Sequence, residues 1–242
     1  MIFNKTSTLK FIDSLKLKGQ LETNESIFNI TKDSINVLTT TRIPVLAIKG
    51  HLKIENGEDI GEIGVGDIGL FRNFLSAIPS ELVHVNKKKN KLVLTNPEQS
   101  VCISLGLINT EYIKNRITAE KFESTYKSAS GNEFVLNTEA LKAIIAYCST
   151  IKADTIILNG EGKKLSLSLE SNDNSMIAEF TIEKEVKPFV VKFNTAYLSA
   201  VLSGQEHVVV SLKENVISYF KSENDQYKIE YLLAPIKIED KR

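Results

Sequence analysis

Three histidines, two cysteines and one glycine-rich segment are the places where this sequence could do chemistry, and each pulls towards a structural reading. His51, His84 and His207 lie inside strand-like runs, and none has a second His, a Cys or a carboxylate at ligand spacing, so they do not describe a metal site. Cys102 and Cys148 sit in apolar stretches far apart in the chain and without CxxC spacing, which points to reduced, buried core thiols. Gly64, Gly66 and Gly69, within GEIGVGDIG, give GxGxxG directly before a helical pattern. A dinucleotide site needs that spacing in a parallel βαβ unit, whereas the surrounding pattern is an antiparallel meander. A short strand turning into a helix, with glycines for close backbone approach, accounts for it. No GxSxG elbow, HExxH pair or Walker loop occurs. The expected class is therefore a binding or structural protein, not an enzyme, with no metal and no cofactor.

The charges narrow that class. Lys+Arg and Asp+Glu are 30 each, so the net charge is zero and nucleic acid cannot be held by bulk basicity, although cations and anions can be segregated on different faces. The one basic run, Asn86-Lys87-Lys88-Lys89-Asn90-Lys91, occupies a hairpin turn and reads as a solvated turn that discourages edge aggregation. With 42% hydrophobic and 25% charged residues the composition is that of a globular protein without a membrane span. The start, MIFNKTSTLKF, has no apolar stretch followed by a small-residue cleavage site, so an intracellular protein is expected.

The elements that must position these residues follow from periodicity. Helical spacing appears four times. The first stretch opens at Thr6-Ser7, with Leu9, Ile12 and Leu15 on one side, Lys10 and Ser14 opposite, and Gly19 as the stop. The second runs from Asp67 to Ala77, with Leu70, Phe71, Phe74, Leu75 and Ile78 in a stripe that ends at Pro79. The third begins at an Asn137-Thr138 cap and spaces Leu141, Ile144, Ile145, Cys148 and Ile151. The fourth, Asn194 to Ser203, buries Leu198, Val201 and Leu202 and stops at Gly204. Between them lie short strand patterns, among them Val101–Leu107, Ser124–Lys127, Thr155–Leu158, Leu165–Leu169, Met176–Glu183 and Lys228–Leu233, with turns at clusters such as Asn159–Gly162 and Ser171–Asn174. Each half reads as strand, helix, strands, helix, strands, repeating after about 115–125 residues. Ile108–Glu120, without Gly or Pro, reads as an extended connector. The predicted organisation is α+β: an N-terminal domain 1–107, a connector 108–120, and a similar C-terminal domain 121–242, each with two helices packed on antiparallel sheet.

Three stretches carry a family resemblance. KIEYLLAPIKIED (Lys228–Asp240) resembles the YLAPKIED-like ending of the eukaryotic and archaeal sliding clamp, proliferating cell nuclear antigen. SGNEF (Ser130–Phe134) is similar to the SGEF that opens the second domain in that family, and GVGD before a helix, from Gly64, is similar to its GVN-then-helix segment. Clamps of large tailed phages share the architecture. The resemblance implies a DNA clamp fold, two similar domains per chain, and head-to-tail closure of three chains into a pseudo-sixfold homotrimeric ring around double-stranded DNA, bound without regard to sequence. Its implied work is processivity: tethering replicative DNA polymerase and other replication or repair proteins that carry short docking peptides, after placement on DNA by a clamp loader.

What the family implies for residues follows position by position. DNA-facing cations would be Lys10 and Lys16 on the first helix, Arg72 on the second and Lys142 on the third. The fourth helix departs from the pattern in having no cation outside, and Glu139 stands near where an arginine is expected. The ring contact would pair Val101–Leu107, with Val101, Ile103, Leu105 and Leu107 on one face, with Met176–Glu183, with Met176, Ala178, Phe180 and Ile182 on one face. The partner-peptide pocket would use Ile108, Tyr112 and Ile113 of the connector, Leu232, Leu233, Ala234, Pro235 and Ile236 of the tail, and Val37 and Ile217 as floor. Two other readings stand beside this one: a monomeric or heteromeric clamp-like accessory protein, and a nucleotide or small-molecule binder using Gly61–Gly69.

Overall fold

In the computed structural model, residues 1–17, 21–43, 45–171 and 174–238 are described. The expected stop at Gly19, part of the Ser171–Asn174 turn and the last residues of the KIEYLLAPIKIED motif lie outside them. The chain forms two compact units. One holds nearly all the described residues before 119 together with Asn224–Ile229, and the other holds Ala119–Glu223 with the segment from Glu230 onward. Among the described residues no helix is long and apolar enough to cross a membrane.

The first unit follows the order β1 (Ile2–Asn4), α1 (Lys5–Lys16), β2 (Ser26–Ile30), β3 (Ser34–Thr40), β4 (Leu46–Lys53), β5 (Gly61–Val65), α2 (Ile68–Ala77), β6 (Leu82–Lys88), β7 (Lys91–Thr95) and β8 (Cys102–Gly106). Its strands make two antiparallel layers, one ordered β1-β6-β7-β8 and the other β5-β2-β3-β4. The apolar stripes of α1 and α2 supply the core: Phe11, Ile12 and Leu15 from α1, and Ile68, Phe71, Leu75 and Ile78 from α2 and its end, are all buried. Phe71 meets Phe28 of β2 edge-on at 5.9 Å. Both stripes differ from expectation by one turn position. Ser14 is buried, its Oγ donating to the Lys10 carbonyl, while Leu70 is exposed. The packed stripes run through Phe11 on α1 and Phe71 on α2, while Phe74 is only half-buried.

The second unit contains α3 (Ala119–Ser128), β9 (Asn132–Leu136), α4 (Thr138–Ile151), β10 (Thr155–Ser171), β11 (Asn174–Asn194), α5 (Thr195–Leu202), β12 (Val208–Leu212), β13 (Ser218–Glu223) and, from Glu230 onward, β14 (Tyr227–Leu233). β10 and β11 form an antiparallel pair, and β14, β13, β12 and β9 follow one another in a sheet. Phe193 of β11 meets Phe220 of β13 edge-on at 6.0 Å, and Phe134 of β9 stacks with Phe189 of β11 at 6.0 Å.

Four helix starts use one chemistry. The side chains of Asn4, Asp67, Asn137 and Asn194 accept from the backbone N–H of Ser7, Leu70, Ala140 and Tyr197 at 2.7–3.2 Å. Three of those starts are the predicted ones, and α1 begins slightly earlier than its Thr6-Ser7 signal.

The fifth helix corrects the prediction. Ser124–Lys127 is not a strand but part of α3, so the described residues of the second unit hold three helices instead of two, the first of them opening at Ala119. Phe122, buried, and Tyr126, whose ring lies 4.6 Å from that of Tyr219, are four residues apart and anchor one face of this helix. The Glu123/Lys127 pair at the same spacing was the available signal. Because α3 is inserted at the head of the second unit, matching helices begin at Lys5 and Thr138, and at Ile68 and Thr195, farther apart than the expected repeat. The connector is not fully extended either, since Thr110–Tyr112 closes a 3-10 turn on the Asn109 side chain.

Two further expectations change. The turn at Asn159–Gly162 is an irregularity inside a continuous strand, with register shifts on either side of Gly162, whose φ is +58°. Cys102 is exposed, because it lies on the outward face of β8; Cys148 is buried on α4, and burial pushes its thiol up to about 11.

Candidate nucleic-acid and partner interfaces

Two of the cations expected to meet DNA, Lys16 and Arg72, carry carboxylate partners. On α1, Lys10, Asp13 and Lys16 are spaced three residues apart and so share one stripe. Arg72 reaches from α2 to Asp13 through two parallel bonds, Nε to Oδ1 at 2.6 Å and Nη2 to Oδ2 at 3.2 Å, with both side chains substantially solvated. The hydrogen bond to Asp13, and behind it the carboxylate's charge, push the Arg72 guanidinium further above its ordinary value. Lys16 Nζ lies 3.1 Å from Glu22 Oε1. The helix pair of the first unit therefore presents cations interleaved with their own carboxylates. Neither Asp13 nor Glu22 belonged to the predicted set, because their pairing with Arg72 and Lys16 is a matter of tertiary packing. In the second unit Lys142 is exposed on α4, Glu139 is exposed one turn earlier, and α5 carries no charged residue.

The two strands expected to make the ring contact both lie at sheet ends. β8 is the last strand of the order β1-β6-β7-β8, pairing only with β7 through Leu92↔Leu105 and Leu94↔Ile103. β11 has β10 as its partner strand among the described residues, with Phe180 opposite Leu165 and Met176 opposite Leu169. The expected faces split by burial. Leu105 and Ile182 are buried within their own units, whereas Val101, Ile103, Leu107, Met176, Ala178 and Phe180 are half-buried. On the opposite face of β11, Ile177 is 75% exposed, beside an exposed Lys164–Glu179 ion pair of 2.8 Å. An apolar side chain that open on an edge strand was not among the predicted residues.

The connector is fixed to the first unit where it begins. Ile108 N–H donates to the Gly64 carbonyl at 3.0 Å, and a Cβ at Gly64 would come within 2.4 Å of the Ile108 carbonyl oxygen. A Cβ at Gly66 would come within 3.1 Å of the Ile108 side chain. Two of the three glycines of the GxGxxG segment thus serve close approach of the connector. β5 runs antiparallel to β2, so the parallel βαβ unit of a dinucleotide site is missing here. Farther on, Lys114 N–H donates to Glu25 Oε1 at 3.1 Å, and Thr39 Oγ1 donates to the Asn115 carbonyl at 3.0 Å.

The expected pocket residues fall into different environments. Tyr112 is 73% exposed and Ile108 is exposed, but Ile113, its neighbour, is only 2% exposed and acts as the connector's core anchor. Val37 is buried in the first unit. In the second, Leu232 and Leu233 are buried, while Ile217, Ala234, Pro235 and Ile236 are half-buried. Ile236 N–H donates to the Lys192 carbonyl at 2.7 Å, which pins the start of the tail to β11. Ile43, half-exposed on the turn between β3 and β4, is an apolar surface residue the sequence reading did not single out. Of the histidines, His51 pairs its Nδ1 with Asn36 Oδ1 at 2.8 Å across β3 and β4, and among the described residues no three His, Cys, Asp or Glu side chains group as metal ligands.

This arrangement of two helix-on-sheet units is the α+β DNA-clamp fold. Proliferating cell nuclear antigen (PCNA) from Thermococcus kodakaraensis shares it with a TM-score of 0.76 at 18% identity, covering 98% of this chain and 99% of that one. PCNA from A. fulgidus, solved with the C-terminal region of FEN-1 bound, gives 0.78 at 18% identity over 99% and 98%. A PCNA2–PCNA3 complex from Sulfolobus tokodaii gives 0.73 at 14% over 97% and 99%. By sequence, no family model and no curated protein matches the chain.

Proposed function

We propose that this chain is the subunit of a DNA sliding clamp, a non-enzymatic processivity factor that encircles duplex DNA as a homotrimer and tethers a replicative polymerase. The observation that carries the reading is the whole-chain sharing of the clamp fold, units, connector and tail included, with PCNA structures. Two sheet-edge strands, β8 and β11, each with half-buried apolar side chains along an unpaired side, suit closure of a ring between chains. Lys10, Lys16 and Arg72 on rigid helices, with Lys142, suit diffuse attraction to phosphate without reading of bases. Tyr112 and Ile108 of the connector and Ala234, Pro235 and Ile236 of the tail are the proposed receiving residues for docking peptides. The A. fulgidus neighbour's bound FEN-1 segment supports that mode of partner recognition. A clamp loader is the implied partner for placing a closed ring on DNA. The nucleotide-binding alternative loses its basis, since Gly64 and Gly66 lie against Ile108.

The test is topological. In solution the protein should have a mass near three times the 27.0 kDa of one chain. Once loaded on nicked circular duplex it should stay bound through a high-salt wash and leave when the circle is cut. Retention on the linear product would overturn encirclement. A heteromeric clamp, favoured by the Sulfolobus neighbour being a complex of two different PCNA chains, would show itself as a mass near that of one chain alone and ring assembly only with a second polypeptide.

A further inference from the structure

The Asp13 carboxylate occupies the donor fork of Arg72, one of the cations proposed above to meet DNA phosphate. A guanidinium presents a planar fork of donors that fits a carboxylate or a phosphate in two parallel bonds, and here Nε and Nη2 are both spent on Asp13, at 2.6 and 3.2 Å. The pair joins the two helices of the first unit at their solvated surface, with the Arg72 side chain 37% and that of Asp13 50% exposed. Such exposed pairs are held weakly and exchange partners readily. Asp13 stands between Lys10 and Lys16 on the same helical stripe, and Lys16 has its own carboxylate, Glu22, at 3.1 Å. A face built only to attract a polyanion would not need an acidic residue at the centre of its cation stripe.

We infer that Asp13 is a built-in counter-ion that competes with DNA phosphate for Arg72 and so weakens the grip of this helix face on duplex DNA. The inference rests on the clamp reading proposed above and adds a regulating residue to it. A ring that holds DNA by enclosure gains nothing from tight phosphate contacts, which would oppose sliding. A carboxylate already seated on the guanidinium makes each Arg72–phosphate contact an exchange of one anion for another, with fewer released counterions than a bare arginine would give.

The test is a double-mutant cycle on the intact protein, using two labelled duplexes of unrelated sequence and about 30 base pairs, with binding followed against salt. Asp13→Asn keeps the side-chain volume and removes the charge. It should bind both duplexes more tightly and steepen the dependence of log K on log salt by about one, which is roughly a further 3.5-fold loss of affinity between about 50 and about 200 mM salt. Arg72→Ala should matter little when Asp13 is present and cost about that factor in the Asp13→Asn background. Circular dichroism melting should be unchanged by Asp13→Asn, which separates this role from a structural one. If Arg72→Ala costs the same in both backgrounds, or the salt slope of Asp13→Asn equals that of the parent, Asp13 does not act through Arg72 and the inference falls while the clamp reading stands. If neither the parent nor Asp13→Asn shows salt-dependent association with either duplex, the clamp's DNA contact itself is overturned.

Discussion

Ile108 is bonded through its backbone to Gly64, and the missing side chain of Gly64 is what allows it: a Cβ there would stand 2.4 Å from the Ile108 carbonyl oxygen. The obstacle is backbone, so no change of rotamer relieves it. Gly64→Val is tolerable to β5 as a strand residue but should push the start of the connector away. The expected result is a melting temperature several degrees lower, from an overpacking cost of about 1–3 kcal/mol, and faster proteolysis within residues 108–118. Gly106→Ala, at a position with open space around it, is the control and should behave as the parent. Equal proteolysis of the two variants would show that the bridge does not hold the connector.

The proposed ring contact is best tested at side chains that are half-buried in the isolated chain. Ile103→Lys and Phe180→Lys meet that condition, while Leu105 and Ile182 are buried in their own units and would confuse assembly with folding. A lysine placed in a packed interface without a partner costs several kcal/mol. Light scattering of the double variant should give the mass of one chain with an unchanged circular dichroism spectrum. A persisting trimer would move the contact elsewhere.

Docking should depend on Tyr112 more than on its neighbour Ile113. With Ile113 only 2% exposed, Ile113→Asp would strip the connector of its core anchor, worth about 1.5–3 kcal/mol of burial, and put a carboxylate in its place. Tyr112, at 73% exposure, is open to a partner. Tyr112→Ala should weaken binding of an aromatic-anchored docking peptide by about tenfold or more, as loss of an aromatic contact at the centre of an interface does, without lowering the melting temperature. Unchanged peptide affinity would remove Tyr112 from the site.

Alkaline stability should report on Tyr219. Its ring is buried in the second unit, its hydroxyl donates to Glu230 Oε1 at 2.7 Å, and burial first, then that bond, raise the phenol above its ordinary range. A group whose folded value is raised keeps its full contribution below the unfolded value and loses it as pH rises. Stability should therefore decline above roughly pH 10, approaching about 1.4 kcal/mol per unit from this residue. Denaturant titrations of Tyr219→Phe should show lower stability at neutral pH, by about 1–3 kcal/mol for the lost bond to a carboxylate, and a shallower alkaline decline. An identical decline in both proteins would assign it to other groups.

Residues local in the chain determined a large part of this architecture. The caps at Asp67, Asn137 and Asn194, the stops near Ala77 and Gly204 and the period-two strands are short-range patterns, in which a side chain answers to backbone a few residues away, and they gave the α+β organisation; the clamp itself was implied by the resemblance of KIEYLLAPIKIED, SGNEF and the GVGD segment. Tertiary structure decided what those patterns leave open. Ser124–Lys127 has β-compatible residues but lies in α3 because Phe122 is buried and Tyr126 packs on Tyr219, a contact made across more than 90 residues of chain. Cys102 has the apolar neighbours of a core residue and is nonetheless exposed, since one residue of register on β8 selects the face. Arg72 reads in sequence as a free cation. Only the packing of α2 beside α1 gives it Asp13, 59 positions earlier, and charge pairing at that separation is a property of the fold that no window of sequence contains.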